Sequence, residues 1–520
     1  MSDLLAQNWD VIVIGTGVGG GTAGRRLTES GLKVLFVEKG PSGFRAEQTR
    51  LDIEMFVPEA RLARGLWPSQ VHGRINGSNE AFYAPLGAGL GGSSAFYAAT
   101  LERPEVHDLE HSNTRPHPTG GWPVSYASFE PYLTMAEKLY HVNGAQDPLA
   151  KHPSHLGSPP QMDSVDQLIA ERLTDAGMHP YQLHSATRNV EGCLNCFGSK
   201  CPKPCKMDGR SAGVEPALAT GNAGLLDMAE VRALCGDGRR ITHIEIVRDG
   251  QQHVLAAPTI LLAAGAFGTP HLCFQSTSES FPKGVANSND RVGRGLMFHT
   301  NEMFAVWPGA KGLEQSKSIG MRDLMWAEGQ RLGMVQSMGV DASYGEILHY
   351  LRLRLARSSL GRKRIIQDGA RLPAAIAAKL LGRAKIFLGL MEDLSYDDNR
   401  VLPSQDGLIS FEYTMRPELY ARRKLFQREI RRAFKGQRKM FLLNAPELNF
   451  GHPSGTMRFG DNPATSVLRS DGRSHDLANL YVADASFMPS SMGVNPSLAI
   501  AAQALRVADA IVERGRNGET

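Results

Sequence analysis

The chain has 520 residues, beyond the roughly 250–300 at which one hydrophobic core stops growing, so two domains are expected. With 42% hydrophobic and 21% charged residues it has a globular composition, which excludes a disordered, collagen-like or coiled-coil chain. A net charge of +4 on 57 basic and 53 acidic residues argues against nucleic acid as the main partner, and six cysteines are too few for a disulfide scaffold.

No apolar run of membrane-spanning length is free of charges, so no transmembrane segment is predicted. Met1–Trp9 carries Asp3 and no basic residue, unlike a secretory leader, and a cytoplasmic protein with reduced thiols is the expectation. Asp10-Val-Ile-Val-Ile14 then reads as a buried strand. Gly15-Thr-Gly17-Val-Gly-Gly20 reads as a turn opening a helix through Leu27, and Lys33–Val37 as a second strand ending at Glu38. Gly15 permits the tight turn, and Gly17 lets backbone approach a pyrophosphate at the helix N-terminus. Gly20 allows helix and strand to pack closely, and Glu38 is placed to accept hydrogen bonds from ribose hydroxyls. The order predicts a dinucleotide-binding, Rossmann-like unit and does not separate FAD from NAD.

A second cluster follows, Gly87-Ala-Gly89-Leu-Gly-Gly92-Ser93-Ser94. So flat a backbone suits a broad planar group, to which Ser93 and Ser94 can add hydrogen bonds; the plain alternative is a flexible loop. Gly120-Gly-Trp-Pro-Val-Ser-Tyr126 precedes a helical pattern over Tyr132–Tyr140. Four of the six cysteines then fall within thirteen residues, Cys193, Cys196, Cys201 and Cys205, spaced C-x2-C-x4-C-x3-C. Three readings stand: an iron–sulfur cluster, a zinc site, or disulfides and packed free thiols. Between Arg352 and Lys385 lie ten basic residues and one acid, Asp368, interleaved with Leu, Ile and Ala. The pattern describes solvated helix faces or an amphipathic basic arm touching a membrane surface or an acidic redox partner.

Several segments together resemble the glucose–methanol–choline (GMC) family of FAD oxidoreductases. Trp122-Pro-Val-Ser-Tyr126 with Phe129–Tyr132 is similar to the family's "WPxSY…EPYY" segment, and Ile260–Leu272 to its second signature. Arg291–His299 resembles the run that follows, and Asp398-Asn-Arg400-Val401 a family strand entry. Asn479–Pro489 and Gly493-Val-Asn495-Pro496 resemble the C-terminal flavin-contacting segment. Two positions depart from the pattern: Cys273-Phe-Gln-Ser-Thr replaces the usual Ser-Gly ending, and Tyr97 stands where the family usually has Asn.

The resemblance implies an α/β fold in which a Rossmann-like FAD-binding domain accompanies a second, mostly antiparallel-sheet substrate domain. The FAD domain is expected to be discontinuous over 1–104, 186–302 and 449–520. The substrate domain then takes 105–185 and 303–448, with the Cys-rich loop 193–205 at the boundary and the substrate wall drawn from 303–448 and part of 105–185. It further implies FAD as cofactor, His452 as general base and Asn495 as the group that orients the substrate hydroxyl. Gly89, Gly92, Ser93, Ser94, Asp484 and Pro496 join Gly15, Gly17, Gly20 and Glu38 at the flavin, and His299 is read as structural. Some members of the family carry an iron–sulfur cluster in a Cys-rich segment at this place. The expected reaction is oxidation of a primary or secondary alcohol, whether sugar or cyclitol, sterol-like or aliphatic, with O2, a quinone or a redox protein taking the electrons. An imidazole suits that chemistry because the hydroxyl proton must leave with the hydride, and a reference pKa near 6.5 lets it accept one near neutrality. A lyase using flavin only structurally and a non-catalytic FAD-binding subunit are the rival readings.

Overall fold

The computed structural model describes residues 2–43, 45, 56–193, 196–309, 317–339, 342–382, 384–404 and 406–518. Its organising element is a five-stranded parallel sheet in the order Leu480–Val482, Thr259–Leu262, Val11–Ile14, Val34–Val37, Ala223–Leu226. The central strands are buried at every position, and apolar at all but Thr259, because both faces of the sheet are covered. Helix Val18–Glu29 packs against the sheet, and the C-terminal helix Ser497–Arg516 lies against it, pinned by Arg26 to Asp509 at 2.7 Å. The strand ends place the site. Gly15, Glu38, Ala263-Ala264-Gly265 and Ala483-Asp484 each follow the C-terminal end of one strand of this sheet, the edge at which parallel α/β sheets bind ligands.

The second layer is a seven-stranded antiparallel sheet along the path Arg438–Phe441, Thr300–Trp307, Lys385–Met391, Gly333–Ser337, Ile319–Met321, Tyr181–Gln182. Glu447–Leu448 pairs beside it on Thr300–Trp307. Alternation along these strands divides their side chains between two faces. Phe304 and Phe387 stack on one face and pack under Phe426 and Ile430 of helix Pro417–Ala433. Asn301, Gln336, Met338 and Leu388 occupy the other face and look into the cavity described below.

The hairpin Val71–Ile75/Ser78–Phe82 pairs with Ser410–Tyr413, so segments far apart in sequence share one small mixed sheet. A buried ionic knot ties Glu102 to the edge of the seven-stranded antiparallel sheet. Arg322 reaches Glu102 at 2.5 Å, Tyr181 donates to Glu102 at 2.8 Å, and His184 lies 3.2 Å from the same carboxylate. Burial works to raise the Glu102 pKa, but His184 and Arg322 outweigh it and hold the carboxyl below its usual range.

Candidate active site

Gly15 turns with φ +102°, where a Cβ would lie 2.4 Å from the Ala263 carbonyl oxygen. Helix Val18–Glu29 can then approach the sheet only because its near face has no side chains. A Cβ on Gly20 would sit 2.1 Å from Gly15 O, and one on Gly19 only 1.5 Å from Ala483 O. Gly17 behaves differently: nothing lies within 4 Å of where its Cβ would point, and it lines the open cavity.

Glu38 is buried beside this turn, and burial raises its pKa. Its Oε2 accepts from Thr16 N at 3.1 Å and Thr16 Oγ1 at 2.6 Å, while Oε1 takes only Gly40 N at 3.2 Å and keeps capacity for another donor. Thr16 Oγ1 also accepts from Gly91 N at 3.1 Å, joining the two glycine clusters through a residue that the motif leaves unspecified.

In the second cluster Gly92, Ser93 and Ser94 line the cavity; Gly89 and Gly20 do not, and both serve close packing. The serine hydroxyls are engaged within the protein. Ser93 Oγ accepts from Gly87 N at 2.9 Å, and Ser94 Oγ donates to Gly91 O at 2.6 Å while accepting from Gly209 N at 2.9 Å. Tyr97, at the departure from the family pattern, donates its hydroxyl to Met207 O.

One cavity of about 910 Å³ runs from Gly15, Gly17 and Glu38 to His452 and Asn495. Folding thus brings together two residues forty-three positions apart. Asn495 does not cap the last helix: the N-cap is Pro496, which makes no side-chain bond, and Asn495 Oδ1 is buried with no hydrogen-bond partner among the described residues. Pro496, Ser497 and Ile500 open the N-terminal turn of that helix onto the cavity. Asp484 lines the cavity as well, but its carboxylate is occupied by Ser486 N and Oγ, Gly265 N and Thr269 Oγ1, which knot the last strand to the second glycine turn.

His299, read from the sequence as structural, lies in direct contact with His452. Their Nδ1 atoms are 3.2 Å apart, and His299 Nε2 is 3.0 Å from the Met492 carbonyl oxygen. A carbonyl only accepts, so His299 Nε2 carries a proton. Burial lowers the His299 pKa to about 4, so the ring is neutral at pH 7 and its Nδ1 is an acceptor. His452 Nδ1 must therefore donate, which leaves His452 Nε2 with the lone pair. The Asn449 amide, 3.4 Å away, would compete for the same nitrogen but is the longer contact. Burial, His299 and the Lys317 ammonium push the His452 pKa well below the usual value.

Lys317 carries no sequence motif. Its Nζ donates to Ala98 O at 2.6 Å and to Thr100 Oγ1, and it too lines the cavity. Burial brings its pKa down to about 7, against the pull of Glu102. Asn301 and Gln336 of the antiparallel sheet line the same cavity, and their Oδ1 and Oε1 have no hydrogen-bond partner among the described residues. Lys317, Gln336, Met338 and Leu388 are among the residues of 303–448 that line the cavity, and no residue of 105–185 does. In its place stand Phe197–Lys200 of the Cys-rich loop.

Cys196, Cys201 and Cys205 of that loop are thiols, with Cys201 Sγ 3.2 Å from Cys205 Sγ. Among the described residues, the group of three or more ligand atoms lying mutually within 4.8 Å is Cys235, His243 and Glu245, not the four loop cysteines. The loop is braced by Lys206, whose ammonium donates to Ala95 O, Cys196 O and Ser199 O. Burial lowers its pKa to about 8.

Comparison with known proteins agrees in one direction. Residues 9–301 match one sequence model described as GMC oxidoreductase, and residues 398–504 match a second with the same description. Paromamine 6'-oxidase of Streptomyces fradiae is 27% identical to this chain, over 97% of this chain and 91% of its own length. The fructose dehydrogenase large subunit of Gluconobacter japonicus is 25% identical over 98% of each. The solved structure of pyridoxine 4-oxidase from Mesorbium loti shares the fold with a TM-score of 0.64 at 18% identity, over 97% of this chain and 99% of that one. An FAD-dependent oxidoreductase from Chaetomium thermophilum does so at 0.67 and 17%, over 98% and 100%.

Proposed function

The chain belongs to the GMC oxidoreductase family, and from that premise we propose that it is an FAD-dependent enzyme oxidising an alcohol to a carbonyl, with His452 as general base and Asn495 orienting the hydroxyl. The observation that carries this reading is that His452 and Asn495 line the same cavity as Gly17 and Glu38. The cavity fits the cofactor on its own features. The space at Gly17 stands open at a helix N-terminus, where a pyrophosphate is held, and Glu38 keeps acceptor capacity for a ribose hydroxyl. When bound, FAD supplies the hydride acceptor.

The chain's own residues supply the proton chemistry. His299 fixes His452 as the Nδ1–H tautomer, so Nε2 is free to take the hydroxyl proton. Asn495 faces the same cavity, and its side-chain NH2 donates to the substrate oxygen, leaving the hydroxyl proton to His452. Lys317, Asn301 and Gln336 present unspent donors and acceptors to the rest of the substrate, which favours a small molecule with several hydroxyls over a sterol-like one. Paromamine and fructose, named for two relatives, are of that kind. We also propose the division of the chain given above, 1–104, 186–302 and 449–520 holding FAD and the remainder building the substrate side.

The test is reduction of the bound flavin by a polyol or amino sugar without oxygen. Bleaching of its visible absorption is expected, and its absence with every alcohol tried would favour the lyase. His452→Ala is expected to lose at least about 10²-fold in kcat, the usual contribution of a general base. Full activity in that variant would show that the base is another group.

A further inference from the structure

Strands Gly333–Ser337 and Lys385–Met391 are antiparallel neighbours, a pair that a two-residue turn can join. They are joined instead by an excursion through residues 338–384 that holds three helices, Tyr344–Leu355, Arg364–Gly369 and Arg371–Leu381. Its inner side is firmly held. Gln367 Nε2 donates to Arg352 O at 3.3 Å and to Gly361 O at 2.5 Å, and Arg362 Nη1 donates to Ala81 O at 3.0 Å. Leu381 packs with Ala305 and Ile386 of the sheet.

The outer side is apolar and bare. Leu360 is 60% exposed, Ile365 78%, Leu372 71%, Ile376 54% and Leu380 62%. Among the described residues, only Val254 elsewhere is a large hydrophobic side chain more than half exposed. Leu372, Ile376 and Leu380 recur every fourth residue, so they form one stripe along the last helix. Lys363, Arg364, Arg371 and Lys379 are exposed around them. The one acid between Arg352 and Lys385, Asp368, already faces Arg352, Arg364 and Arg371 at 3.2–3.8 Å. An apolar stripe of this size must be covered by something.

We propose that these helices dock the protein on the surface of an anionic lipid bilayer. Amphipathic helices with an apolar face and a Lys/Arg rim lie in the interface of such membranes, with the stripe among the acyl chains and the cations at the headgroups. Charge selects this occupant over a second copy of the chain. A two-fold contact would bring the cationic rim against itself, with Asp368 already engaged. No helix among the described residues is long and apolar enough to cross a membrane, so the contact is with the surface. On the inner side of the first helix, His349, Tyr350, Leu353 and Arg354 line the cavity, and docking therefore sets the cavity wall beside the bilayer.

The holoprotein would be sedimented with phosphatidylcholine vesicles, with and without phosphatidylglycerol, while flavin content and unfolding temperature are followed separately. Binding is expected only to the anionic vesicles and to weaken as salt is raised. The triple variant Leu372→Ser, Ile376→Ser, Leu380→Ser is expected to lose at least about tenfold in vesicle affinity, with flavin content and unfolding temperature unchanged. Absence of binding to anionic vesicles, or equal binding by the variant, overturns the proposal. So does a dimer of the unaltered protein, seen by analytical ultracentrifugation, that the triple variant converts to monomer. None of these readouts depends on which substrate the enzyme oxidises, so failure here leaves the proposed reaction untouched.

Discussion

The proton state of His452, the proposed base, comes from its surroundings rather than from its own motif. His299 decides which nitrogen carries the proton, and burial, together with His299 and the Lys317 ammonium, disfavours a second one. A base held below its usual pKa stays neutral on mild acidification. The acid limb of kcat/KM is therefore expected below pH 6.5, the ordinary histidine value, and a limb above that pH would contradict the assignment. Lys317→Met removes a positive charge that opposes imidazolium formation, so the same limb should move to higher pH. His299→Leu takes away the acceptor that fixes the tautomer and is expected to cost about 10²-fold in kcat. His299→Asn offers an oxygen in its place and should lose less, with pH–rate profiles of both variants separating tautomer control from mere packing. Gly17 gives a cleaner reading of the cofactor. Its φ of −66° suits any residue and no atom blocks a side chain, so Gly17→Val should keep the unfolding temperature of the apoprotein while abolishing FAD retention.

The helix Val18–Glu29 is wedged between the strand ends and the Gly209–Val214 turn, with glycines at 19, 20, 21 and 24 where other helices carry side chains. Such a helix gains little from its own propensity, since each glycine weakens it by roughly 1 kcal/mol relative to alanine. Close packing makes up the difference. Gly19→Ala, although a better helix former, is expected to destabilise the protein by about 1–3 kcal/mol or more, because its methyl group would overlap the Ala483 carbonyl. The outcome would be read from denaturant unfolding and flavin content. At the edge of the antiparallel sheet, Arg322→Met would leave Glu102 buried beside Tyr181 without its guanidinium, and a loss of about 3–5 kcal/mol is expected in the same measurement.

Across the whole molecule, the cavity is a seam between two sheets, and that architecture explains which of its parts were legible. Gly15, Gly17 and Glu38 could be read directly because a dinucleotide turn is local: strand, turn, helix and acid follow one another within one stretch of chain. The segments around His452 and Asn495 were readable through resemblance, and their order along the chain was enough to nominate both. Lys317, Asn301 and Gln336 left no trace, since each owes its place to alternation on one face of the antiparallel sheet or to a loop beside it. The expected contribution of 105–185 to the substrate wall failed for a related reason. That stretch packs behind the site, with Tyr126, Phe129 and Leu133 in the main core, while the Cys-rich loop comes forward to line the cavity.

The pattern of residues alone therefore pointed to a Rossmann-like unit and to the enzyme family, and nominated two residues for the chemistry, because short-range backbone geometry and segment order are written in linear form. The partner of His452, the ammonium near it, the unsatisfied amides of the substrate wall and the bare face of the inserted helices emerged only from the folded chain. Contact, burial and the state of a proton depend on residues far away along the chain, and no linear spacing encodes them.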